Sequence, residues 1–349
     1  MKEVAIAGAG IIGLSTALDL ALAGAHVTVF ERGLAMREAS WAAAGMLAPA
    51  DPGNPSELRA LSAFSYALYP EFLANIERLS GKQVPILTTN TLEGVPSLPP
   101  NARLLSAETI NALAPGLQVK GLKFYLLEEK CFDPHVLAGA LIDALKAAGV
   151  NLLERTTVQS VESRAGAVHI HTTAGDFGAD EFINACGAWA TGLSGLPISP
   201  RKGQLLLAKP RHLFADQHLT AVVRIPRLYL IPRPEQSVLI GSTIEDTGFD
   251  KSVDQATIES LRQRAVDLWP PAAEADVIDS WAGLRPASPD SLPVIGAKEP
   301  HHWLALGHFR NGILLAPGTA RLLRQLVLNE PVAIDIHHFA PARFNGVRS

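Results

Sequence analysis

The chain opens with an unbroken apolar run, Val4 to Ala7, the pattern of a strand buried on both faces. Gly8-x-Gly10-x-x-Gly13 follows, and then Leu14, Ala17, Leu18 and Ala21 repeat at the spacing of one helix face. Gly24 stands where a helix C′ glycine belongs. "HVTVFE" predicts a second strand that ends at Glu31.

Further along, residues 55–80 predict a helix or helix pair, interrupted or bent near Pro70. Short strands and Pro-rich turns fill 81–130. Asp133 and Pro134 form an N-cap and N1 pair, Leu137, Leu141 and Leu145 make a stripe, and Gly149 closes that helix. Residues 150–186 predict short strands with turns at Ala165-Gly166 and Ala174-Gly175, ending in "EFINACGAW". A second β-rich region, 201–282, holds "GQLLLA", "RLYLIPR" and "SVLIGST", with a helix near 254–268. The chain then returns to α/β character. "HWLALGH" predicts a strand, and Leu322, Leu323, Leu326 and Val327 share one face of a helix beginning at Gly312 or Pro317. No internal repeat or low-complexity tract interrupts this order.

The α/β material at both ends and in the middle, with β-rich segments between, predicts two domains that are discontinuous in sequence. Residues 1–80, 133–200 and 283–349 form the nucleotide-binding domain; residues 81–132 and 201–282 form the substrate domain. The length of 349 residues suits two cores. A composition 48% apolar and 18% charged excludes a disordered chain, and a net charge of −4 offers no basic stripe for nucleic acid or anionic lipid. Two cysteines, Cys131 and Cys186, are too few for a disulfide framework and point to the reducing cytoplasm. The first segment does imitate an export signal, with Lys2, an apolar stretch and Ala21-Leu22-Ala23. Its uncharged run stops at Asp19, however, and three glycines break it, so export and membrane insertion are not expected.

The glycine turn carries the first chemistry. Gly8 permits the tight turn, Gly10 lets a pyrophosphate approach the backbone, and Gly13 lets helix and strand pack closely. The helix N-terminus presents free N–H groups and partial positive charge to phosphate. Glu31 can accept hydrogen bonds from ribose hydroxyls and disfavours a 2′-phosphate, a point that Arg32 softens. The motif leaves FAD and NAD both open. The small residues of "MREASWAAAGMLAP" would let a flat ring lie against the backbone, or make a compact loop.

The stretches "AGAGIIGLSTALDLALAGAHVTVFE", "SWAAAGMLAP", "ACGAW", "RKGQ", "YLIPR", "LIGST", "WAGLRPASPDSLPVIG" and "GHFRNGILLAPGTARLL" occur in one order over residues 4 to about 324. Together they resemble the FAD-dependent D-amino-acid oxidase superfamily, most closely the glycine oxidases of thiamine biosynthesis. The resemblance implies an α/β (α+β) fold: a Rossmann-type domain for non-covalent FAD and a substrate domain on a large antiparallel sheet. It implies oxidation of glycine, sarcosine or a small D-amino acid by hydride transfer from Cα to flavin N5. Dioxygen takes the electrons and gives peroxide, and the imine feeds the thiamine thiazole. A quinone-linked D-amino-acid dehydrogenase, a non-catalytic FAD-binding subunit, an NAD-dependent reductase and a homo-oligomer stay open.

By the same resemblance, Arg285 matches the carboxylate-binding arginine, Tyr229 the tyrosine that shares that carboxylate, and Arg310 a second arginine near the substrate. The plainer roles are an interdomain salt bridge, a core-boundary tyrosine and a surface arginine. Gly8, Gly10, Ile11, Ile12, Gly13, Glu31 and Arg32 match the dinucleotide cradle. Ala44, Gly45 and Met46 match the flavin-ring lining, Val158 a position against the adenine, and Ala185 and Gly187 follow the strand that backs FAD; Ala43 and Trp189 are further cofactor-binding candidates. Backbone N–H groups from Arg310 through Asn311, Gly312, Ile313 and Leu314 would face flavin N1 and O2. Arg227 and Ile244 depart from the pattern of a strict glycine oxidase, which leaves acidic and N-alkyl substrates open. No acid/base pair is demanded, because the α-hydrogen leaves as hydride. The pairs His169/His171, His301/His302 and His337/His338 have no Cys, Asp or Glu at ligand spacing, so surface histidines without metal are expected. Cys186 reads as a core residue, and neither cysteine lies where covalent flavin attachment would need it.

Overall fold

A computed structural model describes residues 1–164, 166–211 and 217–344. A six-stranded sheet runs in the order 294–299, 302–306, 181–184, 3–7, 26–30 and 151–153. Its pairs are parallel apart from the 294–299/302–306 edge hairpin. The first strand alternates between two cores, as a period of two requires. Val4 and Ile6 join a cluster with the helices Ile11–Leu22, Arg59–Ser80, Pro134–Ala147 and Gly312–Val327. Ala5 and Ala7 meet Val168 and Ile170 of a three-stranded antiparallel sheet, 158–164, 167–172 and 175–179, on the other face.

The second layer is a seven-stranded sheet in the order 275–287, 199–210, 238–241, 228–232, 222–225, 91–95 and 123–127. It is antiparallel apart from the 222–225/91–95 pair. One face packs on the helix Gln255–Leu268 around Trp269 and Leu261. The other gathers Cys131, Leu205, Val222 and Ile231 beneath Ala44, Met46 and Tyr229. The expected boundaries at 200/201 and 282/283 fall inside the continuous strands Ser199–Pro210 and Ala275–Ala287. The chain therefore crosses between layers along two paired strands rather than through linkers.

Local signals place most elements. The Asp133 side chain accepts the His135 N–H at 2.9 Å with Pro134 at N1, and Gly24 (φ 88°) and Gly149 (φ 77°) are left-handed past their helix ends. Gly175 (φ 112°) turns the 167–172/175–179 hairpin; Ala165 of the other expected turn lies outside the described residues. Two expectations that were left open are decided: Arg59–Ser80 is one helix that keeps Pro70 inside it, and the C-terminal helix begins at Gly312 with Pro317 in its interior. Two others need correction. The 81–130 region contains a seven-residue helix, Ala107–Leu113, capped by Ser106, too short to show a stripe. His302 is buried, not at the surface.

Candidate functional site

A cavity of about 570 Å³ runs from the N-terminus of the first helix to the inner face of the seven-stranded sheet. At its dinucleotide end, Gly8 has φ 104°, and a Cβ on Gly13 would stand 1.9 Å from the Gly8 carbonyl oxygen. Gly13 thus sits behind the cradle, while Gly8, Gly10, Ile11 and Ile12 line it. Gly10 is the N-cap and has no side chain to occupy the helix end; Ser40 Oγ accepts the Ile11 N–H at 2.9 Å. The buried Glu31 carboxylate is pinned by N–H donors of Ala9 (2.9 Å) and Gly33 (2.8 Å). Arg32 stacks 3.5 Å over the Trp189 ring and pairs with Glu38 at 3.1 Å, so its charge is already engaged. Val158, Ala185 and Gly187 complete this end. Cys186 lines it too, but burial, with Glu31 nearby, pushes its thiol up to about 12, which leaves it unreactive.

In the middle, Ala43, Ala44, Gly45 and Met46 form one wall and Arg310 to Ile313 another. Gly45 (φ 80°) lies so close to the next strand that a Cβ would be 2.0 Å from the Phe132 carbonyl oxygen. Met46 pairs with Cys131, and Arg233 donates to the Ala44 carbonyl at 2.6 Å, fixing the segment from behind. Asn311 caps the C-terminal helix without a side-chain cap bond. The lining residues of this helix run to Ile313. Leu314 is buried off the cavity, its carbonyl accepting the Ser65 hydroxyl at 2.7 Å.

The far end holds the arginines. Arg285 projects from the strand Ala275–Ala287; Nη1 donates to the Thr243 carbonyl at 3.1 Å and Nη2 to Ser242 Oγ at 2.8 Å. Among the described residues no carboxylate lies within 4.0 Å of it, so it is not the salt bridge that was its plainer role. Burial, then the charge of Arg310, lowers its pKa below the usual guanidinium value. Two glycines make room here. A Cβ on Gly203 would stand 2.1 Å from Arg285 Nη1, and one on Gly241 would stand 2.5 Å from the Tyr229 hydroxyl. Burial raises the Tyr229 pKa against the opposing charge of Arg285, so the phenol stays protonated as a donor. Arg310 reaches the cavity, but Asp51 answers its charge at 3.2 Å and Asn54 accepts from it at 3.2 Å.

Three lining residues escaped the sequence reading. Asp51 carried no local signal. Arg224 sits buried between Glu93 (2.5 Å) and Glu129 (3.0 Å), a cluster that burial holds with Glu93 pushed up to about 7. His308, within the quoted "GHFRNG", is fully buried against Thr319 Oγ1 at 3.0 Å, and burial drives it down to about 3, a neutral imidazole. The histidine pairs also changed. Strand pairing sets Asp176 opposite His171, so ligand atoms of His169, His171 and Asp176 lie within 4.8 Å of one another. Chain spacing missed that carboxylate.

The residues present fit an FAD. Glycines crowd the backbone where a Cβ would fill the cradle, the helix end is open, Glu31 is fixed for a ribose, and an apolar, small-residue wall faces the second helix N-terminus. Beyond that wall stand a half-buried cation and a phenol, an arrangement that can grip a carboxylate by two parallel N–H donors.

Comparison with known proteins agrees. The family model DAO, FAD dependent oxidoreductase, matches residues 3–326. The chain is 35% identical to the bifunctional protein ThiO/ThiG of Nostoc sp. over 98% of its own length and 55% of that protein. It thus spans about half the length of the bifunctional relatives it matches. It is 35% identical to a glycine oxidase of Pseudomonas aeruginosa over 98% of this chain and 99% of that one. The crystal structure of glycine oxidase from Geobacillus kaustophilus superposes with a TM-score of 0.89 at 29% identity, covering 97% of this chain and 98% of that chain. Among the described residues no helix is long and apolar enough to cross a membrane.

Proposed function

Since the chain belongs to the DAO family of FAD-dependent oxidoreductases, we propose that it oxidises glycine or another small amino acid such as sarcosine or a D-amino acid. The overall change is amino acid plus dioxygen to imino acid and hydrogen peroxide; water splits any imino acid not passed on into oxo acid and ammonia, or methylamine from sarcosine. FAD, when bound, would supply the acceptor for the hydride that leaves Cα and the route by which both electrons reach dioxygen. Arg285 binds the substrate carboxylate, and Tyr229 donates to the same group. With that end held, Cα faces the wall of Ala44, Gly45 and Met46, where the ring would lie. Arg310, neutralised by Asp51, closes the side of the chamber rather than binding a charge of its own. The N–H groups at the start of the C-terminal helix favour negative charge against that wall. We place the imine product in thiamine thiazole synthesis, supported by the ThiO/ThiG relative, and the reaction in the cytoplasm.

One observation carries this reading: a half-buried guanidinium that faces the cavity and, among the described residues, donates only to neutral partners. Such a group is costly to bury unless an anion completes it. Arg285→Lys and Arg285→Ala should retain FAD, seen in the flavin spectrum, yet lose roughly 10²- to 10³-fold in kcat/KM for peroxide formation. If FAD-loaded wild type is not bleached anaerobically by glycine, sarcosine or small D-amino acids, the reading is wrong.

A further inference from the structure

Four arginines line the substrate end of the cavity, and two of them are answered within the fold. Arg224 is held by Glu93 and Glu129, and Arg310 by Asp51. Among the described residues, neither Arg285 nor Arg227 has a carboxylate within salt-bridge distance. Arg285 takes the substrate's α-carboxylate in the function proposed above. Arg227 has no such assignment.

Its setting is unusual for a surface arginine. Ile225 pairs with Leu228, so the hairpin turns on Pro226 and Arg227 alone. Arg227 has φ 64°. Proline followed by a left-handed residue is a type II arrangement, in which glycine or asparagine is favoured at the second place. An arginine enters it only at a cost in backbone energy. The turn also places two cations together. Arg264 donates to the Arg227 carbonyl at 2.6 Å, and the Arg227 charge, after burial, lowers the Arg264 pKa. Backbone strain and like-charge repulsion are both spent on an exposed side chain at the cavity mouth, two residues before Tyr229. Ile244, 62% exposed, also lines this mouth and contributes no charge. A strained cation without an acid partner is what remains when the partner arrives with the ligand.

We propose that Arg227 receives a second carboxylate of the substrate, so that the preferred substrates are amino acids bearing two acid groups. One acid is gripped by Arg285 deep in the cavity and the other by Arg227 at its mouth. The inference rests on the oxidase reading of the same cavity, and it adds the substrate class.

Matched pairs test it in the FAD-loaded protein. Iminodiacetate and sarcosine differ by a carboxylate on the nitrogen substituent, and D-aspartate and D-alanine by one on the side chain; whichever pair responds shows from which branch the second acid comes. Wild type should favour the diacid of at least one pair by about tenfold in kcat/KM. Arg227→Asn should cut that ratio about tenfold, and Arg227→Glu should invert it. Binding gives a readout without turnover. Diglycolate, an ether that cannot be oxidised at nitrogen, should bind about tenfold more tightly than methoxyacetate in calorimetry, and Arg227→Asn should erase the difference. Asparagine accepts a left-handed φ, so Arg227→Asn should melt no lower than wild type, which separates lost recognition from lost folding. Sarcosine or D-alanine oxidation with a diacid ratio that ignores position 227 would overturn this inference and leave the oxidase reading standing. Failure of every amino acid to bleach the flavin, with diglycolate still bound through Arg227, would overturn the oxidase reading and keep the two-acid site.

Discussion

His308 lies in the wall of the cavity with its ring fully buried and its Nε2 against Thr319. Burial lowers its folded pKa to about 3, while the unfolded chain presents an ordinary histidine near 6.5. Between those values the unfolded state binds more protons, so stability falls as pH drops from about 6.5 toward 3. His302, also depressed by burial, to about 4, adds loss of the same sign. Replacing His308 by Asn should flatten the acid limb of a urea-melt stability curve by up to about 1.4 kcal/mol per pH unit across that window. An unchanged slope would mean that the folded protein protonates this ring. Single residues differ in how far sequence alone reveals them. Gly203 and Gly241 sit inside "RKGQ" and "LIGST", stretches that stand out in the chain, and their reason is steric: they clear space for the Arg285 and Tyr229 side chains. Asp51 stands in an ordinary loop, and nothing near it in sequence shows that it neutralises Arg310.

At the scale of elements, Pro317 explains how the helix Arg59–Ser80 is tied to the C-terminal helix, whose first turn lines the cavity. A proline inside a helix leaves the carbonyl four residues earlier without its donor. That carbonyl, on Ile313, accepts the Tyr69 hydroxyl of the Arg59–Ser80 helix. Ser65 inserts one turn away, donating to the Leu314 carbonyl at 2.7 Å and accepting the Gly318 N–H at 2.8 Å. Gly318 is glycine because a Cβ there would stand 2.7 Å from Ser65 Cβ. The start of the C-terminal helix, which faces the cavity, is thereby held by two hydroxyls from a neighbour. Tyr69→Phe should cost about 1–3 kcal/mol in chemical denaturation, the penalty of an unsatisfied buried carbonyl. In a Pro317→Ala background the restored N–H should take over Ile313, and the Tyr69→Phe penalty should shrink. Additive losses in that double-mutant cycle would refute the link. The hydrophobic stripe of this helix was readable along the chain; the interior proline was not, because its repair comes from another helix.

Across the whole molecule, the cavity separates the two layers and takes its walls from both. The six-stranded sheet and its glycine turn supply one end, and the seven-stranded sheet supplies Tyr229 and Arg285 at the other. A dinucleotide spanning that length binds the folded chain and has no site on the unfolded one. Free FAD at a hundredfold excess over its Kd should therefore add about 2.7 kcal/mol of stability, seen as a melting temperature that climbs with FAD concentration. A melting temperature indifferent to FAD would place the cofactor elsewhere.

Most strands and helices, the glycine turn and the acid at Glu31 were readable from the chain alone, because their causes act within a few residues: side-chain periodicity, the backbone freedom of glycine, and the capping chemistry of Asp133 and Pro134. Arg285 and Tyr229 were singled out by the family resemblance of their stretches, not by any local pattern. Only the tertiary structure decided which charges remain unanswered. Asp51 quiets Arg310, Glu93 and Glu129 hold Arg224, and, among the described residues, Arg285 and Arg227 have no carboxylate at salt-bridge distance. Charges pair through space, and the strands and loops that bring them together are joined by packing rather than by position in the chain.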